Sequence, residues 1–173
     1  MAGGRWHAGQ STDGGALIGP NPTDRGKRGT KKSVLVEREG GPLAVIIAGA
    51  NVNDISLLAA TLDAIVVVRP QPSATAPQHL CLDLGYANTT GRTVAAARGY
   101  QVHFSRSRGD QTPTQPWQPP RRWVVERTLA WLSKCRALLI RWDKHADNYL
   151  ALLKLACALL WYRRYHRLNA VLR

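Results

Sequence analysis

Six consecutive apolar residues, Leu43-Ala44-Val45-Ile46-Ile47-Ala48, set the tightest limit on how this chain can fold. A second β-rich run, Ser33-Val34-Leu35-Val36-Glu37, precedes them, and Glu39-Gly40-Gly41-Pro42 lies between. Turn residues between two such runs predict a β-hairpin. A strand that is apolar on both pleat faces needs cover on both, which predicts a central strand with helices above and below the sheet. The rest of the chain alternates to match. Asn53 or Asp54 caps a helix running through Ile55, Leu58, Leu62 and Ile65. His79-Leu80-Cys81-Leu82 reads as a short buried strand ending in Asp83, and Asn88, Thr89 or Thr90 caps a helix closed by Gly99. Tyr100–Phe104 reads as a further strand, and Ala146–Leu168 as a long final helix. Strands alternating with helices make an α/β sheet.

The charge is the loudest compositional feature. The 173 residues carry a net charge of +13, and 12 Lys/Arg against Glu126, Asp143 and Asp147 put nine of those charges in residues 121–173. Such a balance predicts a polyanionic partner, nucleic acid before anionic membrane. With 45% hydrophobic and 20% charged residues the chain is globular and not disordered. Cys81, Cys135 and Cys157 lack zinc-type spacing and read as reduced thiols. Met1-Ala2-Gly3-Gly4-Arg5-Trp6 shows no secretory pattern, and the longest apolar run, Tyr149 to Tyr162, is short and broken by Lys154. Neither export nor a membrane span is expected.

Two carboxylates carry the candidate chemistry. After Pro119-Pro120, the stretch Arg121-Arg122-Trp123-Val124-Val125-Glu126-Arg127-Thr128-Leu129-Ala130-Trp131-Leu132 has a helical period. Val125, Leu129 and Leu132 share a face, with Val124, Thr128 and Trp131 beside them. Glu126 sits at the edge of that face, one turn from Arg122. A surface ion pair between the two is the bland explanation. Asp83, 43 positions earlier, ends a buried strand, where open α/β sheets place their reactive groups. An Asp and a Glu converging over a basic surface suit hard divalent cations that act on phosphodiesters.

Four ordered blocks sharpen this. Gly19-Pro20-Asn21-Pro22-Thr23-Asp24-Arg25-Gly26-Lys27, Gly49-Ala50-Asn51-Val52-Asn53-Asp54, Asp83-Leu84-Gly85-Tyr86 and Arg122 to Leu132 resemble successive blocks of bacterial insertion-sequence transposases of the IS-four/IS-five type. That resemblance covers about Gly14 to Arg164. It implies an Asp-Asp-Glu site on an RNase H-like mixed sheet flanked by helices, with a long helical C-terminus. Asp83 matches the second acid and Glu126 the third; both would bind Mg²⁺ or Mn²⁺. Arg122 and Lys134 match basic residues near the Glu, and Arg25, Lys27, Arg28, Lys31, Arg121 and Arg127 complete a DNA-contacting set. The partners implied are terminal inverted repeats, target DNA and further copies of the chain, in a bacterial cytoplasm.

The resemblance also marks departures. The family's first Asp belongs on a strand before the Gly-Pro-Asn-Pro block, and counting back lands near Arg5, among residues that do not read as a strand. Asp13 and Asp24 are poor replacements. Asn53 and Leu84 stand where His and Lys are expected. The expectation is therefore a basic Gly/Pro-rich segment over 1–30, a partial catalytic domain over 31–168 lacking its first strand, and a tail over 169–173. The chain would be a truncated relic or a second reading frame, with weak metal binding, negligible catalysis on its own and poor solubility. A catalytically dead DNA-binding relic is the alternative.

Overall fold

The computed structural model describes residues 15–104 and 122–171, together with two N-terminal strand segments, β1 (Ala2–Gly3) and β2 (Ala8–Ser11). The chain continues through β3 (Gly19–Pro20), β4 (Arg28–Val36), β5 (Pro42–Gly49), α1 (Asp54–Asp63), β6 (Gln78–Leu82), a 3₁₀ turn (Leu84–Tyr86), α2 (Thr89–Ala96) and β7 (Tyr100–Phe104). After residues 105–121 come α3 (Arg122–Leu132), α4 (Arg136–Leu139), β8 (Ile140–Arg141) and α5 (Ala146–Val171). The Pro/Gln-rich loop expected over 106–120 lies outside the described residues.

All the described strands join one sheet. β4 and β5 form the antiparallel hairpin, with Val34 opposite Val45. The other edge of β4 is taken first by β1, with Ala2 opposite Val36, and then by β2, with Gly9 opposite Thr30. β6 lies parallel beyond β1 and β7 parallel beyond β6; β8 lies parallel beside β2. The fold is thus mixed α/β, as expected, but it does not lack a strand ahead of the hairpin. Small residues such as Ala2, Gly3, Ala8 and Gly9 have little strand propensity of their own. Two flanking edges, β4 on one side and β6 or β8 on the other, hold them extended. Tertiary pairing overrides local preference here.

A second expectation also changes. Among the described residues β5 pairs with β4 alone, so it is an edge strand and not a central one. Its apolar sequence answers to the faces instead: α1 packs on one and α5 on the other. Trp161 donates its indole N–H to the Pro42 carbonyl, and Val66 N–H donates to Leu43 O, so both groups bond at the start of this edge.

Two apolar layers sandwich the sheet. Leu35, Leu43, Leu58, Leu62, Leu80, Leu82, Tyr86, Ala95 and Tyr100 fill the side under α1 and α2. Val34, Val36, Val45, Ile47, Val125, Leu129, Leu132, Tyr149 and Leu153 fill the side under α3 and α5. The expected caps form: Asn53 accepts from Ile55 N–H at the start of α1, and Asn88 accepts from Gly91 N–H at the start of α2. Within the second layer two cations are buried. Lys32 donates to Leu138 O at 2.7 Å, and Arg141 donates to Thr30 Oγ1, Asp143 O and Lys144 O. Burial lowers the Lys32 ammonium to about 8.

Candidate active site

Asp83 follows directly on β6. Its backbone is still extended (φ −70°, ψ 158°), and its carboxylate accepts from Leu84 N–H at 2.8 Å, capping the 3₁₀ turn. The pleat decides which way it faces. Leu80 and Leu82 enter the layer under α1 and α2, whereas Cys81 packs into the layer under α3 and α5. Alternation carries Asp83 to the Cys81 face.

Glu126 reaches the same side by another route. α3 buries Val124, Val125, Thr128, Leu129 and Leu132 against β4 and β1, which leaves Glu126 exposed at the margin of that face. β1 is also the neighbour of β6, with Ala2 paired to Cys81. The two carboxylates therefore belong to one face of the sheet and flank a single strand. The register partner on that strand carries no acid: Ala2 stands beside Cys81. Among the described residues no group of three or more His, Cys, Asp or Glu could hold a metal ion. Asp13 lies outside them.

Trp131, beside the apolar face of α3, is 37% exposed. With Trp123 it flanks the Arg127 guanidinium, whose carbon lies 4.7 Å from the Trp123 ring centre and 5.6 Å from that of Trp131. Arg127 also donates to Glu39 O, and Thr128 donates its hydroxyl to Gly40 O at 2.7 Å. Consecutive residues after Glu126 thus clamp α3 to the hairpin turn. On the other side of that turn Glu37 pairs with Arg164 of α5. Burial alone would raise the Glu37 carboxyl; N–H donation from Glu39 and Gly41 and the Arg164 guanidinium together hold it below its ordinary range.

The remaining basic candidates divide. Arg25 (φ 51°), Lys27 and Arg28 are exposed around the turn that joins β3 to β4. That turn is ordered by Asn21, whose backbone bonds both Gly26 and Lys27 and whose side chain accepts from Thr23. It sits at the far end of β4 from Val36, on the order of 20 Å from Asp83 at the usual strand rise. Lys31 is engaged internally, donating to Val52 O at 2.8 Å and to Asp54 at 2.5 Å. Lys134 is exposed just past α3. Arg121 and the side chain of Arg122 lie outside the described residues.

Two features escaped the sequence reading. The Asn51 amide packs against β3 and β5: a Cβ on Gly19 would stand 1.7 Å from its Oδ1, and one on Gly49 would stand 2.7 Å away. Two of the four sequence blocks are thereby in contact. His79 and His103, on adjacent strands of the Asp83 face, share a 2.7 Å Nδ1···Nε2 hydrogen bond. Burial and the neighbouring His79 lower the His103 imidazole below its ordinary value. The alternation His79-x-Cys81-x-Asp83 was the available signal, but only the pairing of β6 with β7 brings the second imidazole in.

The profile of a family described as Transposase DDE domain matches residues 5–161. A putative transposase for insertion sequence element IS402 from Burkholderia cepacia is 38% identical over 151 residues, 86% of this chain and 70% of that protein. No solved structure matches. The profile runs from before β2 to the last turns of α5, so it takes in both carboxylates, and on that match the chain belongs to the Transposase DDE domain family.

Proposed function

We propose that this chain serves DNA transposition as a catalytic domain whose Asp83 and Glu126 bind the metal and whose basic surface holds the ends of the element. The observation that carries the site assignment is their common setting: both acids lie on one sheet face, on elements that flank β1. A central β1 with antiparallel β4 on one side and parallel β6 and β7 on the other supports an RNase H-like reading of the sheet.

The donor set fits a hard cation: two carboxylates, one half-buried at a strand end and one exposed on a helix. Bound there, Mg²⁺ or Mn²⁺ would lower the pKa of an attacking water or 3′-hydroxyl and offset charge on the phosphodiester oxygens. The chain's own residues position the DNA. Lys134, just past α3, and Arg122, on its first turn, are the cations proposed to meet phosphates near Glu126. Arg25, Lys27 and Arg28 offer a second phosphate contact on the order of six base pairs away along a duplex. Terminal inverted repeats and target DNA are the proposed ligands.

Among the described residues no third carboxylate joins these two, and that favours a second reading, a DNA-binding protein without cleavage of its own. One experiment separates the two. Supercoiled plasmid carrying the DNA that flanks the coding sequence is incubated with the chain and Mn²⁺, alongside Asp83→Asn, Glu126→Gln and Ala2→Asp. A catalytic site gives nicking that falls at least about 100-fold in the first two variants. Ala2→Asp, which puts an acid at the position paired with Cys81, raises it. Metal-independent binding indifferent to all three substitutions establishes the binder and removes the enzyme.

A further inference from the structure

The outer edge of β5 opens into a cleft of about 710 Å³. One wall is the Val66–Val67 segment after α1, and the other is the face of α5 that carries Leu150, Lys154, Ala158 and Trp161. The strand register fixes which backbone groups look into it. Ala44, Ile46 and Ala48 sit opposite Leu35, Ser33 and Lys31, and Ala50 N–H continues that ladder by donating to Gly29 O. Leu43 O instead accepts from Val66 N–H, on the side away from β4. Backbone direction alternates along a strand, so Val45 and Ile47 turn N–H and C=O outward with Leu43. Among the described residues no strand pairs with that edge and no loop backbone bonds those four groups. An edge that offers donors and acceptors at every second residue of an apolar cleft suits an added strand. The bond to Val66 closes its start, which leaves Ala44 to Ala48 open, about 16 Å at the usual rise.

Charge says what that strand carries. Lys154 is exposed on an otherwise apolar wall, and among the described residues it forms no ion pair. Trp161 marks the start of the cleft by bonding Pro42 O, and Lys154 lies about 10 Å along the helix from there, beside the open stretch. A carboxylate on the incoming strand would complement it. A second copy of this chain, paired edge to edge, would instead set Lys154 against Lys154 and one net charge of +13 against another.

We infer that the β5 edge takes an extended segment of another protein as a further strand, with alternating apolar side chains and an acidic residue where it meets Lys154. This edge lies on the opposite side of β4 from β1, so the inference does not depend on the metal site.

The test pans random nine-residue peptides, displayed on phage, against the full chain, with excess duplex DNA present to occupy the basic surface. Enriched sequences are expected to alternate apolar residues, to carry Asp or Glu and to lack Pro. A labelled synthetic copy of the strongest should bind at least about 10-fold more weakly, by fluorescence anisotropy, to each of three variants. Lys154→Glu reverses the charge, Ala158→Trp fills the cleft, and Val45→Pro removes an outward N–H at a place where an edge strand tolerates proline. Far-UV circular dichroism checks each fold, and if Val45→Pro unfolds the two helix variants decide. The inference is overturned if no peptide is enriched, or if binding ignores the cleft variants. A dimer in sedimentation that Ala158→Trp dissociates also overturns it, by making a second copy the occupant.

Discussion

Arg127 shows how a residue's environment assigns its work. As a cation next to Glu126 it belonged with the DNA contacts; in the fold its guanidinium lies between two indoles and bonds the hairpin carbonyl of Glu39. Arg127→Ala is expected to destabilise the chain by about 1–3 kcal/mol, the loss of a charged hydrogen bond and two partly desolvated cation–π contacts. Arg127→Lys recovers only part of this, because an ammonium cannot stack flat between two rings. Chemical denaturation of the three proteins checks both statements; equal midpoints would return Arg127 to the free surface. Lys32 gives a pH signature. Its folded value of about 8 lies below the ordinary 10.5, so between those values the unfolded chain binds more protons and stability rises with pH. Below about 8 the full cost of the buried charge, on the order of 3 kcal/mol, is present at all pH values. Cys157 and Tyr149, pushed up by burial to about 11 and about 12, act in the opposite sense above their ordinary 9.0 and 10.0. The clean window is therefore pH 8 to 9, in which wild type gains stability and Lys32→Met does not, as paired thermal melts would show.

Among the elements, those specified locally were the legible ones. The β4–β5 turn, the Asn53 and Asn88 caps and the strand ending in Asp83 depend on neighbours in sequence, and each formed within a few residues of its expected place. β1 and β2 were illegible because their residues lack strand character and only the edges of β4, β6 and β8 extend them. The edge position of β5 was hidden for a related reason: cover by α1 and α5 writes the same apolar run as a central place in a sheet. For the site, two acids and their motif blocks could be named from sequence, but their shared face depended on the pleat of β6 and the seating of α3. Asn51 marks the limit, since its contact with Gly19 spans two blocks that no period relates. Gly19→Ala forces a Cβ onto the Asn51 amide and is expected to cost about 1–3 kcal/mol. Asn51→Ala clears that space, so the double variant should be more stable than the sum of the single losses predicts. A double-mutant cycle on thermal unfolding measures this coupling, and strict additivity would mean that the β3 turn moves aside.

At the scale of the whole molecule the decisive quantity is charge. A net +13 on 173 residues favours binding to any polyanion and says nothing about sequence preference. Its distribution is more informative. The last third holds most of the excess, yet Arg141 is buried and bonded within the fold, and Arg164 is held by Glu37. The cations left for phosphate contact there include Lys134, Arg163 and Arg167, all exposed. Fluorescence anisotropy with a random duplex should give an affinity that falls steeply with salt, by about 0.9 in the logarithmic slope for each phosphate neutralised. Lys134→Ala should lower the slope by about one unit and weaken binding to all sequences alike. Lys31→Ala should leave the slope unchanged, because its ammonium already serves Asp54 and Val52. If Lys31 moved the slope as much as Lys134, the β4 end of the sheet would have to open on binding DNA, and the division between structural and DNA-facing cations would fail.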